Sequence, residues 1–331
     1  MTDTVATQSG PVVEEAKAPA TDPLQTMRDS VTVVLPTLNE EKGVGTVIEK
    51  TKKAGFSNIL VVDGGSTDRT LVLVNKMQVR VAVQHGRGKT DALDTALGRV
   101  DTPYMALIDA DDTYDPKDID AMLEHIRSAD QVIGSRVLGE RVENNSQSRQ
   151  LRRGHGLGNR LLTFSFNVLF GAHLTDVLSG IRLFKTQALK QIDLRSAGFG
   201  AEAEVTAQFL IDGRKVVETP AHLKERAGEA KLRYRDGFHI LTTTLKLAYE
   251  YNPLFYFIPI GVLLMAPGLA SLGYVGYAAY FTSTHLFHSG YALAGLGLFL
   301  TGLQAFSLGM VSFLMKRSEL RQLRAMRRSF A

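Results

Sequence analysis

"VTVVLP", at residues 31–36, is the first of three short apolar runs that decide the predicted fold. It is followed by "NILVVD" at 58–63 and "YMALID" at 104–109, and the intervening segments, such as "TDALDTALGRV" at 90–100, have helical character. Buried strands that alternate with helices are typical of a mostly parallel sheet covered on both faces. The sequence therefore predicts an α/β domain with a Rossmann-like, mostly parallel sheet.

Each of the three apolar runs leads into a polar cluster. These clusters are "PTLNEE" at 36–41, "DGGSTD" at 63–68 and "DADD" at 109–112. Ligands of such sheets bind at the carboxyl ends of the strands. Simpler interpretations remain open, because Thr37 or Asn39 could cap a helix and the aspartates could form a solvated turn. Three polar ends together favour one shared crevice.

The third cluster has the spacing of a metal site. Asp109 and Asp111 are two residues apart in an extended segment, which places both side chains on one side. Neighbouring carboxylates repel each other unless a cation or protons neutralise them. Mg²⁺ and Mn²⁺ prefer such oxygen ligands and take the rest from water and substrate phosphates. We expect the metal at Asp109 and Asp111, with Asp112 left in solvent.

The composition and charge of the chain limit the kinds of ligand and partner that it can bind. The chain has 331 residues, 44% of them hydrophobic, no cysteine and a net charge of only +4. Without cysteine, disulfides and thiolate metal sites are excluded. The basic residues flank apolar segments, which favours anionic lipid or phosphate as partner, and no motif of a nucleic-acid module accompanies them. We therefore expect a membrane and no nucleic acid, while a homo-oligomer is left open.

The loop before one predicted helix could contact an anion. "GRGKTDAL" at 86–93 is not a P-loop, because Val83 stands where that motif requires glycine. Its backbone amides and the charge of Lys89 could nevertheless meet a phosphate.

The two ends of the chain differ from its middle. Residues 1–27 are polar and are predicted to be a disordered tail, whereas 28–245 form the soluble domain. In the remainder, 250–316, two stretches carry no charge, 253–281 and 291–315. Each exceeds the roughly 20 apolar residues that a transmembrane helix needs.

The basic tail at 317–331 predicts a topology. Its positive charge places the C-terminus on the cytoplasmic side, and two spans return the chain to its starting side. The prediction is a multi-pass protein of the cell membrane with a cytoplasmic catalytic domain. Residues 149–173 add an arginine-rich start and a short apolar core at 161–170, which predicts an interfacial helix; a buried helix of the domain is the alternative.

Six motifs together resemble a known family. They are "VVLPTLNEE" at 33–41, "VVDGGSTDRT" at 61–70, "GRGKTDAL" at 86–93, "DADDTYDP" at 109–116, "VIGSR" at 132–136 and "TDVLSGIRLFK" at 175–185. In this order they resemble the family-two inverting glycosyltransferases of GT-A fold, over about residues 31–240. More narrowly, they are similar to dolichyl-phosphate mannose synthases and their polyprenyl-phosphate relatives.

The resemblance implies a reaction. A hexose would pass with inversion from a nucleotide-diphosphate sugar (GDP-mannose, UDP-glucose or UDP-GlcNAc) to dolichyl or polyprenyl phosphate, with Mg²⁺ or Mn²⁺ as cofactor. The acceptor is a phosphate monoester with a second pKa of about 6, so it is largely ionised and needs positioning more than a base. Arginine suits that task because its planar fork binds phosphate bidentately.

The resemblance also assigns residues. It implies that the donor nucleotide is bound by Pro36, Asn39, Glu40, Asp63, Ser66, Lys89 and Asp109. It implies metal binding by Asp109 and Asp111, and acceptor binding by Arg136, Arg152, Arg153, Ser179, Arg182 and Lys231. The segment "KERAGEAKL" at 224–232 resembles a mobile loop of the family, in which Arg226 and Lys231 match. The expected catalytic set is Asp111, Arg136 and Arg226.

Three positions depart from the family pattern, and some alternatives stay open. Thr113 stands where mannose synthases often have glutamine, which leaves the donor open, and His155 and Ala230 each replace a serine. Glu202 and Glu204 could bind sugar hydroxyls or be ordinary helix positions.

Other functions remain as alternatives. A hydroxyl-directed transferase would need a carboxylate base, for which Asp176 is the conspicuous candidate. A nucleotide-binding membrane scaffold without activity is the non-enzyme alternative. A processive polysaccharide synthase is disfavoured, since its QxxRW motif requires a tryptophan and the chain has none.

Overall fold

A computed structural model of the chain describes residues 22–143, 156–192, 201–224, 254–281 and 289–329. Its centre is a seven-stranded sheet in the order β3-β2-β1-β4-β6-β5-β7, in which β6 alone runs antiparallel to its neighbours. The predicted mostly parallel sheet is therefore confirmed. The strands are β1 (Val31–Thr37), β2 (Asn58–Asp63), β3 (Arg80–Val83), β4 (Tyr104–Leu107), β5 (Gln131–Ser135), β6 (Arg182–Lys185) and β7 (Val216–Pro220).

Helices cover both faces of the sheet. We number those of the described residues in chain order. They are α1 (Pro23–Asp29), α2 (Val44–Lys53), α3 (Thr70–Lys76), α4 (Gly88–Leu97), α5 (Asp118–Ile126), α6 (Arg136–Glu143), α7 (Gly156–Phe170), α8 (Thr186–Lys190), α9 (Ala201–Ile211), α10 (Leu254–Phe281) and α11 (Ser289–Ser329).

Strand β1 divides the core into two layers. Val33 and Leu35 point into the cluster that includes α2 and α5, whereas Val34 points into the cluster with α4 and α9. Pro36 is tolerated in this central strand because β4 pairs with β1 only as far as Val34, so the missing N–H breaks no ladder on that side.

The chain order of the strands creates a crevice beside β1. From β1 the chain proceeds to β2 and β3 on one side and then crosses to β4 on the other. Such a reversal of direction is the point where open α/β sheets bind ligands, outside the carboxyl ends of the strands. The polar clusters after β1, β2 and β4 all lie at this end.

Helix α1 corrects one predicted boundary. It begins at Pro23, with the side chain of Asp22 accepting a hydrogen bond from the N–H of Leu24, so the predicted tail cannot extend to residue 27. Arg28 fastens the helix to α5 through two hydrogen bonds to Asp120, of 2.9 and 2.7 Å. This bidentate pair adds to the apolar contact of Met27 with the core.

Helices α10 and α11 are long and apolar enough to cross a membrane, over Tyr256–Phe281 and Ser289–Met315. Only 17% and 11% of their most apolar windows are buried, so these helices are not core helices of a soluble domain. They pack along a seam of glycines: a Cβ on Gly302 would lie 2.7 Å from the carbonyl oxygen of Gly261, and one on Gly268 would lie 2.8 Å from that of Gly295. The seam allows close backbone approach.

Helix α7 has two apolar faces with different surroundings. Leu162 and Phe166 are buried, and Phe166 belongs to a core cluster near β5 and α9. Phe164 and Val168, one turn apart, are 65% and 56% exposed. The alternative of a buried helix therefore describes one face, and the predicted interfacial role of the other face stays a prediction.

Candidate active site

The cluster after β2 is organised around Asp63, whose side chain is fully buried. Its two oxygens accept hydrogen bonds from the N–H groups of Gly65 and Ser66, the Ser66 hydroxyl and the Thr37 hydroxyl. These four bonds fill the carboxylate's acceptor capacity. Asp63 therefore shapes the loop, and its predicted contact with the nucleotide stays a prediction.

Asn39 joins the first cluster to the second. Its backbone N–H donates to the Ser66 hydroxyl, and its side-chain oxygen accepts from the N–H of Thr67 at 2.7 Å. Its φ of 54° lies in the left-handed region, which asparagine tolerates better than most residues. Helix α2 begins only at Val44, so the alternative that Thr37 or Asn39 caps it is wrong.

Pro36 and Glu40 lie on either side of this junction. Pro36 is half-buried near the carboxyl end of β1, and the backbone N–H of Glu40 donates to the Thr70 hydroxyl at the start of α3. The five predicted nucleotide positions of the first two clusters are thus brought together.

Lys89 connects the loop at 86–93, which was predicted to contact an anion, to Asp109. Its ammonium lies 2.5 Å from Asp109 Oδ1 and 2.5 Å from Glu202 Oε1, which brings α4, β4 and α9 together. Burial alone would lower the pKa of Lys89, but the charges of Asp109 and Glu202 outweigh it and raise the pKa, so the ammonium stays charged. Glu202 thus belongs to the site, whereas Glu204 is buried in α9.

The loop that carries Asp111 is held from behind by α2. Gly43 packs against it so closely that a Cβ there would lie 2.6 Å from the carbonyl oxygen of Ala110. Asp112, at a φ of 63°, forms an ion pair with Lys50 at 2.5 Å and is only 17% exposed. The prediction that Asp112 is left in solvent is wrong, because its side chain turns away from the crevice to anchor the loop.

Gly180 of the sixth motif, "TDVLSGIRLFK", lies against Asp109. A Cβ on Gly180 would overlap the Asp109 carboxylate, and the Gly180 N–H donates to the Tyr114 hydroxyl at 2.9 Å. Burial raises the pKa of Tyr114, so this hydroxyl stays protonated. The motif after β4 and the motif before β6 therefore form one wall, with a glycine where a side chain would displace Asp109.

Arg136 begins α6 directly after β5 and pairs with Asp176. Its Nε and Nη2 donate to the two Asp176 oxygens at 2.6 and 2.7 Å, and its backbone N–H donates at 3.1 Å. Asn159 of α7 donates to the same carboxylate at 3.0 Å. Burial alone would raise the pKa of Asp176, but the Arg136 charge outweighs it and lowers the pKa, so the carboxylate is ionised.

Ser179 and Arg182 are held inside the protein by their own hydrogen bonds. Both are fully buried: the Ser179 hydroxyl donates to the carbonyl oxygen of Gly134 at 2.5 Å, and the Arg182 guanidinium donates to the carbonyl oxygens of Val177 and Ser179. Their polar groups are satisfied within the protein. Both side chains support the backbone, and their predicted contact with the acceptor stays a prediction.

Several predicted residues lie outside the described residues. They are Arg152, Arg153, Arg226 and Lys231, together with His155 and Ala230, at which the chain departs from the family pattern. The described segment before Arg226 is fixed to the loop after Asp111: the N–H of Lys224 donates to the Thr113 carbonyl at 2.8 Å, and the Lys224 ammonium lies 2.6 Å from Asp115.

The side chains present fit a hard divalent cation. The Thr113 N–H orients Asp111 by donating to Oδ1 at 3.0 Å, and Asp109 shares one oxygen with Lys89. Across the described ranges, no three His, Cys, Asp or Glu side chains gather closely enough to hold a metal. Water and substrate phosphate would have to complete the coordination, which is how Mg²⁺ is usually bound.

The sheet order and the polar loops at its switch point define a class: an α/β protein of GT-A type. Residues 32–193 match the model of glycosyl transferase family 2. The glycosyltransferase AglJ of Haloferax volcanii is 33% identical over 289 residues, 86% of this chain and 93% of that protein. The chain belongs to glycosyl transferase family 2.

Two further relatives extend the comparison. The dolichyl-phosphate hexose transferase of Haloferax volcanii is 31% identical, over 67% of this chain and 95% of its own. A structure of glucosyl-3-phosphoglycerate synthase from Mycobacterium tuberculosis, in complex with Mn²⁺, UDP-glucose and phosphoglyceric acid, has a TM-score of 0.53 at 19% identity, covering 68% of this chain and 82% of that one. At that identity the likeness establishes the GT-A fold.

Glu218, Tyr114, Lys50 and Gly43 support the site but are not among the predicted residues. Glu218 accepts hydrogen bonds from the N–H groups of Thr175 and Asp176, more than 40 residues earlier in the chain. No local motif marks such a contact. Tyr114 lies inside "DADDTYDP" and could have been suspected from that motif.

Proposed function

We propose that this protein transfers a hexose, with inversion, from a nucleotide-diphosphate sugar to dolichyl or polyprenyl phosphate at a membrane surface. The observation that carries the proposal is Arg136. Its side chain is partly exposed and is fixed at the carboxyl end of β5, and the sheet that holds it also carries the Asp109–Asp111 loop after β4. A positioned arginine facing a diphosphate crevice suits a transfer in which the acceptor is itself a phosphate.

The donor would lie along the ends of β1, β2 and β4. In this proposal its nucleotide contacts the loops of Asn39 and Ser66, and its diphosphate faces Asp109, Asp111 and Lys89. A divalent cation bound by Asp109 and Asp111 would stabilise the negative charge that develops on the leaving diphosphate. Lys89 adds a second positive charge beside Asp109, and Glu202 keeps that ammonium in place.

The acceptor would approach from the side of β5 and α7. Arg136 holds the acceptor phosphate so that one oxygen faces the anomeric carbon from the side opposite the diphosphate, and a bond forms there as the bond to the diphosphate breaks. Arg152, Arg153, Arg226 and Lys231 are proposed to add positive charge on this side. Since the acceptor is already ionised near neutral pH, the protein needs no strong general base.

A hydroxyl acceptor fits less well. It would need a carboxylate base, but Asp176 is fully buried and accepts four hydrogen bonds from Arg136 and Asn159. A carboxylate engaged in this way is a poor proton acceptor. This argues for a phosphate acceptor.

The membrane would deliver the lipid. Helices α10 and α11 are proposed to anchor the protein. The exposed Phe164 and Val168 of α7 are proposed to rest in the interface, on the helix that carries Asn159 at the acceptor side. Residues 149–173 would then bring the lipid phosphate to Arg136 without removing its chain from the bilayer. The catalytic domain and the C-terminus are proposed to be cytoplasmic.

The test is a donor screen on membranes that contain the protein. They are incubated with polyprenyl phosphate, Mg²⁺ or Mn²⁺, and GDP-mannose, UDP-glucose or UDP-GlcNAc in turn. We expect one donor to give an organic-soluble, acid-labile lipid-linked sugar, which is absent without acceptor or with Asp111→Asn. If nucleotide binds with metal but no donor yields glycolipid, the protein is a scaffold and the proposal is wrong.

A further inference from the structure

Both carboxylate oxygens of Asp176 are fully engaged in hydrogen bonds, three of which come from Arg136. It is fully buried, and each of its oxygens accepts two hydrogen bonds, one oxygen from the backbone N–H and Nε of Arg136 and the other from Nη2 and Asn159. A carboxylate has about four acceptor positions, so Asp176 is saturated. Its effect on any ligand must therefore pass through Arg136.

The pairing uses only one edge of the guanidinium. The planar group has five N–H donors, and Nε with Nη2 forms the edge that faces Asp176. The other edge, formed by Nη1 and the second hydrogen of Nη2, has no hydrogen-bond partner within the described ranges, and the side chain is 29% exposed. Arg136 can therefore bind Asp176 and a second oxyanion at once, each bidentately.

The loop that carries Asp176 is itself clamped from both sides. Glu218 on β7 accepts from the N–H groups of Thr175 and Asp176 at 2.7 and 2.9 Å, whereas Arg182 on β6 donates to carbonyl oxygens further along the loop. Asp176 is thus held by two strands of the sheet. Its position does not depend on a ligand.

We infer that Asp176 is a positioning residue, which locks the side-on edge of Arg136 and presents the opposite edge to the acceptor phosphate. This inference rests on the proposed function. An unpaired arginine would lose side-chain entropy each time it binds a ligand. Because Asp176 already holds the Arg136 side chain in one conformation, less entropy is lost when the phosphate binds. Asp176 should therefore govern acceptor use while leaving donor binding unchanged.

A double-mutant cycle tests the inference, with Asp176→Asn, Arg136→Gln and the double variant assayed in membranes. Asp176→Asn keeps the size but puts an amide N–H against the guanidinium. We expect the KM for polyprenyl phosphate to rise ~10-fold or more, as for loss of a hydrogen bond to a charged group, while the KM for the donor stays within about 2-fold. In the Arg136→Gln background, Asp176→Asn should add no further increase, because the two residues act as one unit.

Glu218→Gln provides a second variant if Asp176→Asn folds poorly. Its amide still accepts one hydrogen bond, so we expect a smaller rise in the acceptor KM with the same donor KM. Thermal unfolding and nucleotide binding serve as folding controls. Equal increases in both KM values, or an undiminished effect of Asp176→Asn in the Arg136→Gln background, would overturn the inference. A wild-type protein inactive with every donor would instead reject the proposed function.

Discussion

Asp109 shows how contacts from other motifs fix the orientation of a carboxylate. Lys89 holds one of its oxygens at 2.5 Å, and Gly180 backs the carboxylate so closely that any side chain there would displace it. The orientation of Asp109 therefore depends on two residues from other motifs. The glycine between Ser179 and Ile181 is needed for its lack of a side chain.

Gly180→Ala should impair donor use through Asp109. The added methyl group forces the Asp109 carboxylate to rotate away from its place, and loss of one oriented charged contact corresponds to about 1.5–3 kcal/mol, or roughly 10- to 100-fold in donor KM or turnover. Donor kinetics and nucleotide binding measure the effect. Gly98→Ala is the matched control, since its Cβ would meet nothing closer than 3.8 Å. Equal kinetics for both variants would contradict the contact.

Asp111→Asn should abolish metal-dependent turnover while the fold is retained. The carboxylate is 7% exposed and oriented by the Thr113 N–H, so the amide fits the same space but lacks the charge that a divalent cation requires. We expect turnover to fall by about 100-fold or more. Mn²⁺ titration and thermal unfolding provide the readouts.

Asp112→Asn is the control for that change. Asparagine tolerates the left-handed backbone at this position, so this variant loses chiefly the ion pair with Lys50, typically worth about 1 kcal/mol or less for a partly exposed pair. If it proved as damaging as Asp111→Asn, the metal would not be assigned to Asp111.

At the scale of elements, the sequence predicted what local patterns encode. The runs "VTVVLP" and "NILVVD" are β1 and β2, and "TDALDTALGRV" overlaps α4, because apolar periodicity reflects burial directly. The antiparallel direction of β6 was not predicted, since four residues, "RLFK", carry no signal for direction.

The candidate site was predictable only where a local sequence pattern marks it. Motifs identified the loops of Asp63 and Asp109, but not the ion pair that turns Asp112 towards α2 or the burial of Ser179 and Arg182. These outcomes depend on contacts between residues distant in the chain. A resemblance can identify a motif without separating the residues that contact a ligand from those that support the fold.

The pairing of α10 with α11 also depends on contacts that only the structure reveals. Gly295, Gly302 and Gly309 lie seven residues apart and face α10, whereas Gly297 has nothing within 4 Å of its added Cβ. Apolar side chains alone would hold two membrane helices weakly, because lipid is equally apolar. Close packing at these glycines therefore contributes to the hairpin.

Gly302→Leu should separate α10 from α11. Its Cβ would lie 2.5 Å from Met265 Cγ and 2.7 Å from the Gly261 carbonyl oxygen, an overpacking that typically costs about 1–3 kcal/mol. We expect a lower unfolding temperature and lower yield after detergent extraction. Gly297→Leu, on the same helix, should change neither. Similar losses in both variants would point to a general intolerance of α11 and not to the seam.

At the scale of the whole molecule, a run of basic residues directly follows the second of the two apolar helices. Helix α11 has 41 residues, about 60 Å at 1.5 Å per residue, which is twice the thickness of the hydrocarbon core. Its apolar part ends at Met315, and the helix continues into the basic segment. Six of the residues from 316 to 328 are Lys or Arg. Such a segment suits anionic lipid headgroups at a membrane surface.

The absence of cysteine makes this topology directly testable. Single cysteines can be placed at Ser57 in the soluble domain, at Ser318 beyond the second apolar helix and at Ser283 between the two helices, with no native thiol to interfere. Because the basic tail favours a cytoplasmic C-terminus, we expect a membrane-impermeant maleimide to label Ser283→Cys in intact cells. Ser57→Cys and Ser318→Cys are both exposed and should react only after permeabilisation. Labelling of Ser318→Cys in intact cells would place the tail outside and reverse the proposed side of catalysis. Labelling of Ser57→Cys and Ser318→Cys under different conditions would show that the two helices do not form a hairpin that crosses the membrane twice.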